Sequence, residues 1–138
     1  MSDNTKIHVH LNAANLQKSK EFYTRLFGVG PVKEKADYAK FLPELGPLNL
    51  AISQGEPSSG EGRAHHLGIQ VDSPEIVRRE LERVQKLGLP VRVELNTTCC
   101  YANQDKFWVV DPDGVEWEIY HLNYDVAEKK SETVAACC

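Results

Sequence analysis

The chain has 138 residues, 41% of them hydrophobic and 26% charged, which suffices for one compact core and excludes a fibrous or low-complexity polymer. Its 16 Lys and Arg against 20 Asp and Glu give a net charge of -4 at pH 7, with no basic stripe interleaved with aromatics, so nucleic acid is excluded as an expected partner. No apolar run nears the roughly 20 residues that span a bilayer and the opening MSDNTKIHVH lacks a signal-peptide core, so no membrane partner and a cytoplasmic location are expected.

The first element is an alternating run. In KIHVHLNA, His8, His10 and Asn12 point one way while Ile7, Val9, Leu11 and Ala13 point the other, the pattern of a half-buried strand. A helix follows, with Asn15 as N-cap, Leu16, Phe22, Tyr23, Leu26 and Phe27 at helical spacing, and Gly28 as the stop. YAKFL and LNLAISQ are short strand-like runs, and QGEPSSGEGR is a Gly, Ser, Pro and Glu-rich linker. HHLGIQV then alternates again, with Leu67, Ile69 and Val71 opposite His66, Gly68 and Gln70. Ser73 caps a second helix, Pro74 takes its first position, and Ile76, Val77, Leu81, Val84 and Leu87 run to Gly88. VRVEL, KFWVV and EWEIY are further strand-like runs.

The unit therefore occurs twice. His8 lies against His66, Leu11 against Ile69, and Gly28 against Gly88 with a two-residue slip. This predicts an α+β fold of two βαβββ modules, residues 6–53 and 63–122 approximately, forming a cup-shaped mixed sheet with helices on its convex face. One domain is expected over residues 1–123 and a mobile tail over 124–138.

Strand parity sends His8 and His66 to the polar face, and in DPDGVEWEIY it separates Glu116, Glu118 and Tyr120 from Trp117 and Ile119. Two imidazoles and one carboxylate are the ingredients of a facial triad that leaves coordination positions open on iron(II). Taken singly, a strand histidine is more often a surface or hydrogen-bonded residue; the repeated register favours the metal site. His65 adjoins His66 and would replace it if the register slipped by one, and His10 shares the face in a solvated or supporting role. The four cysteines form two adjacent pairs, Cys99-Cys100 and Cys137-Cys138. A disulfide within a pair closes a strained ring, and a reducing compartment disfavours one between pairs, so both pairs are expected as free thiols. Cys99 and Cys100 either pack as small hydrophobes or capture a thiophilic group.

HVHLNAANLQKSKEFYTRLFG, HLGIQVDS and DPDGVEWEIY resemble the vicinal oxygen chelate superfamily of glyoxalase I, extradiol dioxygenases and fosfomycin-resistance enzymes, over residues 6 to about 122. The resemblance implies metal ligands at His8, His66 and Glu118. YAKFL with NTTCCYANQDKFWVVDPDGVEWEIY resembles one branch, the carbon-arsenic lyases (the ArsI family) and related cadmium-induced proteins. That resemblance implies capture of a trivalent organoarsenical by Cys99 and Cys100 and cleavage of its carbon-arsenic bond at Fe(II) with dioxygen as co-substrate. The chemistry is consistent: trivalent arsenic with one organic substituent has two valences for thiolates, and the second bond gains from tethering. Soft thiolates and the harder iron ligands need not compete.

Residues 101–105 are expected as either a gating loop or an ordinary polar connection, Lys106, Phe107 and Trp108 as strand and core, and Cys137 and Cys138 as part of the tail. Two other functions are weighed. A glyoxalase-like isomerase would want a fourth ligand in PLNLAIS, which has no Glu, Asp or His. A cadmium- or arsenic-binding protein without turnover would need only the thiols. The sequence leaves open whether the organic group is methyl or aryl, and whether the halves pair within one chain or across a homodimer.

Overall fold

The computed structural model describes residues 6–131, with the backbone alone at residues 99, 100 and 128–131. Nine elements follow in chain order: β1 (Ile7–Ala13), α1 (Leu16–Phe27), β2 (Lys33–Lys35), β3 (Tyr38–Phe41), β4 (Leu48–Gln54), β5 (Leu67–Gln70), α2 (Pro74–Lys86), β6 (Arg92–Val110) and β7 (Glu116–Ser131). The class is α+β, as the alternating and helical periods require. The chain divides into two compact units, residues 1–67 with 110–116, and residues 68–109 with 117–138. His66 and the turn before β7 thus cluster with the first unit, whereas the repeat pattern assigned them to the second module.

The first unit carries a four-stranded sheet in the order β1-β4-β3-β2, mixed because β1 runs parallel to β4 while the remaining pairs are antiparallel. Its register sets His8 beside Asn49, His10 beside Ala51 and Asn12 beside Ser53. Leu50, Ile52, Ala39 and Phe41 are fully buried, and so are Tyr23 and Leu26 of α1. Tyr23 packs edge-on to Phe22 and 6.1 Å from Phe41. Helix α1 begins where Asn15 Oδ1 accepts from the Lys18 amide at 3.1 Å and ends at Gly28, whose φ of 70° is left-handed. Ile7, expected on the apolar face, is 67% exposed at the strand's first position.

The turn at residues 111–115 is built on carboxylates. Asp111 Oδ1 accepts from the Asp113 and Val115 amides, and its Oδ2 accepts from the Tyr23 hydroxyl at 2.6 Å. Asp113 accepts from the Ala14 amide at 3.1 Å. The DPDG turn is therefore docked on the start of α1.

The second unit carries a three-stranded sheet in the order β5-β7-β6. Ser73 caps α2 through the Ile76 amide, Pro74 opens it, and Gly88 with φ 82° follows its last turn. Val77 and Val84 are buried; Leu87, expected to face the core, is 48% exposed. VRVEL and KFWVV, expected as separate strands, belong to the single element β6. Fully extended, its 19 residues would reach roughly 60 Å. Three hydrogen bonds show instead that it folds back on itself: Trp108 Nε1 to Glu94 Oε2 at 3.3 Å, the Asn96 amide to Asp105 Oδ1 at 2.6 Å, and Asn103 Nδ2 to Thr98 Oγ1 at 3.1 Å. The chain reverses between Thr98 and Asn103. β7 continues to Ser131, so residues 124–131, expected in the tail, are strand; Cys137 and Cys138 lie outside the described residues.

Candidate functional site

In the first unit, β1 presents His8, His10 and Asn12 on the face opposite Ala13, as alternation requires. His8 Nδ1 lies 3.0 Å from the Asn49 carbonyl, and His10 Nε2 lies 2.8 Å from Ser53 Oγ. A ring nitrogen donating to a backbone carbonyl fixes the tautomer and leaves Nε2 of His8 as the nitrogen for a ligand, the usual arrangement of a metal-binding imidazole. Beside His8 in register, Asn49 Oδ1 is buried with no hydrogen-bond partner among the described residues. An orphaned buried acceptor costs about 1–3 kcal/mol, and a donor on a bound ligand or ordered water would remove that cost.

His66 stands just before β5, and its Nδ1 lies 2.8 Å from Nδ1 of the exposed His65. One of those nitrogens must carry the proton, so the pair is coupled and both histidines are held together. A cavity of about 390 Å³ opens here, lined by Asn12, Arg63, His65, His66, Asp113 and Glu116 among others. The linker residue Arg63 donates to the Gly114 carbonyl at 3.2 Å, tying the cavity's rim to the 111–115 turn.

In the second unit, Glu118 sits on β7 between the buried Trp117 and Ile119, and is itself only 8% exposed. Lys106 Nζ holds its Oε2 at 3.1 Å, and the same ammonium lies 5.3 Å from the Trp108 ring centre. Gly68 of β5 makes the room: a Cβ there would meet Glu118 Cγ at 2.6 Å and its carbonyl oxygen at 3.0 Å. Burial, and next the charge of Glu118, hold the Tyr120 phenol above its usual value of 10. The residues fit a divalent metal by donor chemistry, since imidazole and carboxylate are suitable for iron(II). Among the described residues, however, no three His, Cys, Asp or Glu side chains stand close enough together to hold a metal ion, and Glu118 is engaged by an ammonium.

Cys99 and Cys100 occupy the reversal of β6, between Thr98 and Asn103. Residues 101–105, weighed as a loop, are strand, with Asn103 3% and Asp105 4% exposed while Tyr101 is 58% exposed. Lys106, Phe107 and Trp108 are buried, as expected. Three features of the structure are not read from the sequence: the lysine on Glu118, the glycine beside it, and the orphaned Asn49 oxygen. Gly68 had a signal, because a glycine inside a strand pattern marks a close approach.

Comparison with known proteins adds the lineage. Residues 7–119 match the family model described as Glyoxalase/Bleomycin resistance protein/Dioxygenase superfamily. The chain is 47% identical to the "Trivalent organoarsenical cleaving enzyme" of Bacillus sp. (strain MD1), over 94% of this chain and 81% of that protein. It is 44% identical to the "Probable trivalent organoarsenical cleaving enzyme" of Bacillus subtilis (strain 168), over 96% and 89%. It is 40% identical to "Cadmium-induced protein CadI" of Mycobacterium bovis, over 88% and 78%. The crystal structure of a glyoxalase/bleomycin resistance protein/dioxygenase from Alicyclobacillus acidocaldarius shares the fold, with a TM-score of 0.72 at 15% identity, covering 89% of this chain and 95% of that one. On sequence and on fold, the chain belongs to the glyoxalase, bleomycin resistance protein and dioxygenase superfamily, the vicinal oxygen chelate proteins.

Proposed function

We propose that this protein cleaves the carbon-arsenic bond of trivalent organoarsenicals in a reaction that uses iron(II) and dioxygen and releases arsenite. The observation that carries the reading is the pair of relatives, 44% and 47% identical over nearly the whole chain, whose names state organoarsenical cleavage. Cys99 and Cys100, adjacent at a chain reversal, capture the arsenic through two sulfurs. His8, His66 and Glu118 are the residues that would hold the metal. Iron(II), when bound, supplies the site at which dioxygen is reduced while the organic substituent is oxidised.

The chain's own residues perform the rest. The Asn49 carbonyl orients His8, and His65 restrains His66. Lys106 holds the Glu118 carboxylate in place inside a buried strand. A glyoxalase-like isomerase is less well supported. The register facing Gly68 and Glu118 in the second unit corresponds in the first to His10 beside Ala51, and alanine offers no fourth ligand.

Oxygen uptake and arsenite release are the measurements. Both should require added iron(II) and a trivalent methyl or phenyl arsenical. Glu118→Ala should abolish turnover and still bind the arsenical, while Cys99→Ser and Cys100→Ser should each lose tight binding and keep iron. Parallel His65→Ala and His66→Ala variants identify the imidazole, with iron loss expected only for His66→Ala. Arsenical binding without oxygen uptake at full iron loading would instead mark a thiol-based binding protein.

A further inference from the structure

The turn that carries the two cysteines rests on a polar network centred on the buried Asn103 and Asp105. Asn103 Oδ1 accepts from Asn123 Nδ2 at 2.9 Å, and Asn103 Nδ2 donates across the turn to Thr98 at 3.1 Å. Asp105 Oδ1 accepts from the Asn96 amide at 2.6 Å and from Asn123 Nδ2 at 3.3 Å, while its Oδ2 takes Arg78 at 3.3 Å. His121 Nδ1 lies 2.8 Å from Asn123 Oδ1 and closes the chain of bonds. The next inward positions on the same strand, Phe107 and Val109, are apolar and fully buried.

Burying amides and a carboxylate costs free energy that hydrophobic residues at the same positions would not. Here the bonds have a geometric consequence. Asn96 adopts a left-handed φ of 49°, a conformation costing about 1 kcal/mol in a non-glycine residue, and Asp105 locks its amide in place. Asn103 ties the two limbs of the turn to each other, and Asn123 ties both Asn103 and Asp105 to β7. Only the four residues 99–102 remain between the anchored limbs.

We propose that Asn103, Asp105 and Asn123 are positioning residues for dithiol capture, holding the limbs of the turn so that Cys99 and Cys100 meet one arsenic atom together. This rests on the reading of those cysteines as the arsenical clamp. The gain from a second tethered bond depends on how narrowly the tether restricts its partner. A loosened turn retains two thiols and loses the advantage of pairing them.

The test uses full-length protein and phenylarsenous acid, with binding affinity and stoichiometry measured beside the rate at which iodoacetamide alkylates Cys99 and Cys100, resolved by mass spectrometry. Asn103→Ala and Asn123→Ala should weaken arsenical affinity by about tenfold or more, with monofunctional alkylation and iron content close to wild type. Asp105→Asn keeps an acceptor for the Asn96 amide and should retain most of the affinity that Asp105→Ala loses. If Asp105→Ala does not fold, the Asn103 and Asn123 variants decide. Wild-type affinity in both of those variants, with Cys99→Ser and Cys100→Ser impaired, overturns the positioning role and leaves the clamp standing. Wild-type affinity in either cysteine variant overturns the clamp, and the inference with it.

Discussion

At Gly68 the absence of a side chain is a requirement set by Glu118, whose Cγ would lie 2.6 Å from an added Cβ. Both contacts there involve atoms that cannot swing aside cheaply, one of them the Glu118 carbonyl oxygen at 3.0 Å. Gly68→Ala should therefore displace the carboxylate from Lys106 and lower iron(II) affinity by roughly tenfold or more. Titration with iron(II) checks the outcome, and arsenical binding at the cysteines should be unaffected. In the sequence, strand parity singled out His8, His66 and Glu118, and the repeat set His8 against His66. Lys106 as the partner of Glu118 was not legible there, because residues twelve apart in sequence meet only when β6 and β7 pair. Asn49 was invisible for a similar reason: its orphaned oxygen is a property of the β1-β4 register.

Among the elements, the helices were the most legible. Asn15 and Ser73 cap through their side chains, and a glycine closes each helix, as their spacing required. Leu87 departs from the helical pattern because α2 has already ended, and Leu89 just beyond Gly88 takes the buried place at 8% exposure. The strands were read less well. β6 reads as two strands because residues 96–105, despite Thr97, Thr98 and Tyr101, lack an alternating apolar pattern; its cross-strand partners make the whole run strand. Helix α1 is tied to the 111–115 turn by the Tyr23 hydroxyl, fully buried, on Asp111. Tyr23→Phe removes one donor to a carboxylate that keeps two amides, so a loss of about 1.5 kcal/mol is expected. Urea unfolding checks this, as a lower midpoint at an unchanged slope.

At the scale of the molecule, the sequence halves and the compact units do not coincide. Residues 110–116 belong by sequence to the second half and by packing to the first unit, because Asp111 and Asp113 find their partners on α1. Removing residues 132–138, and with them Cys137 and Cys138, is expected to leave arsenical turnover unchanged, since capture is assigned to the β6 turn. A steady-state assay of the truncated chain measures this, and lost activity would bring the terminal cysteines into the mechanism. The sequence by itself determined the α+β class, both helices with their caps, the polar face of β1 and the superfamily. Those follow from short-range periodicity and from motifs that survive in linear order. Only the tertiary structure decided where β6 reverses, which residues bury Glu118 and what braces the cysteine turn. Each of these depends on contacts between distant residues, where the cost of burying a polar group is settled by a partner that the linear order does not name.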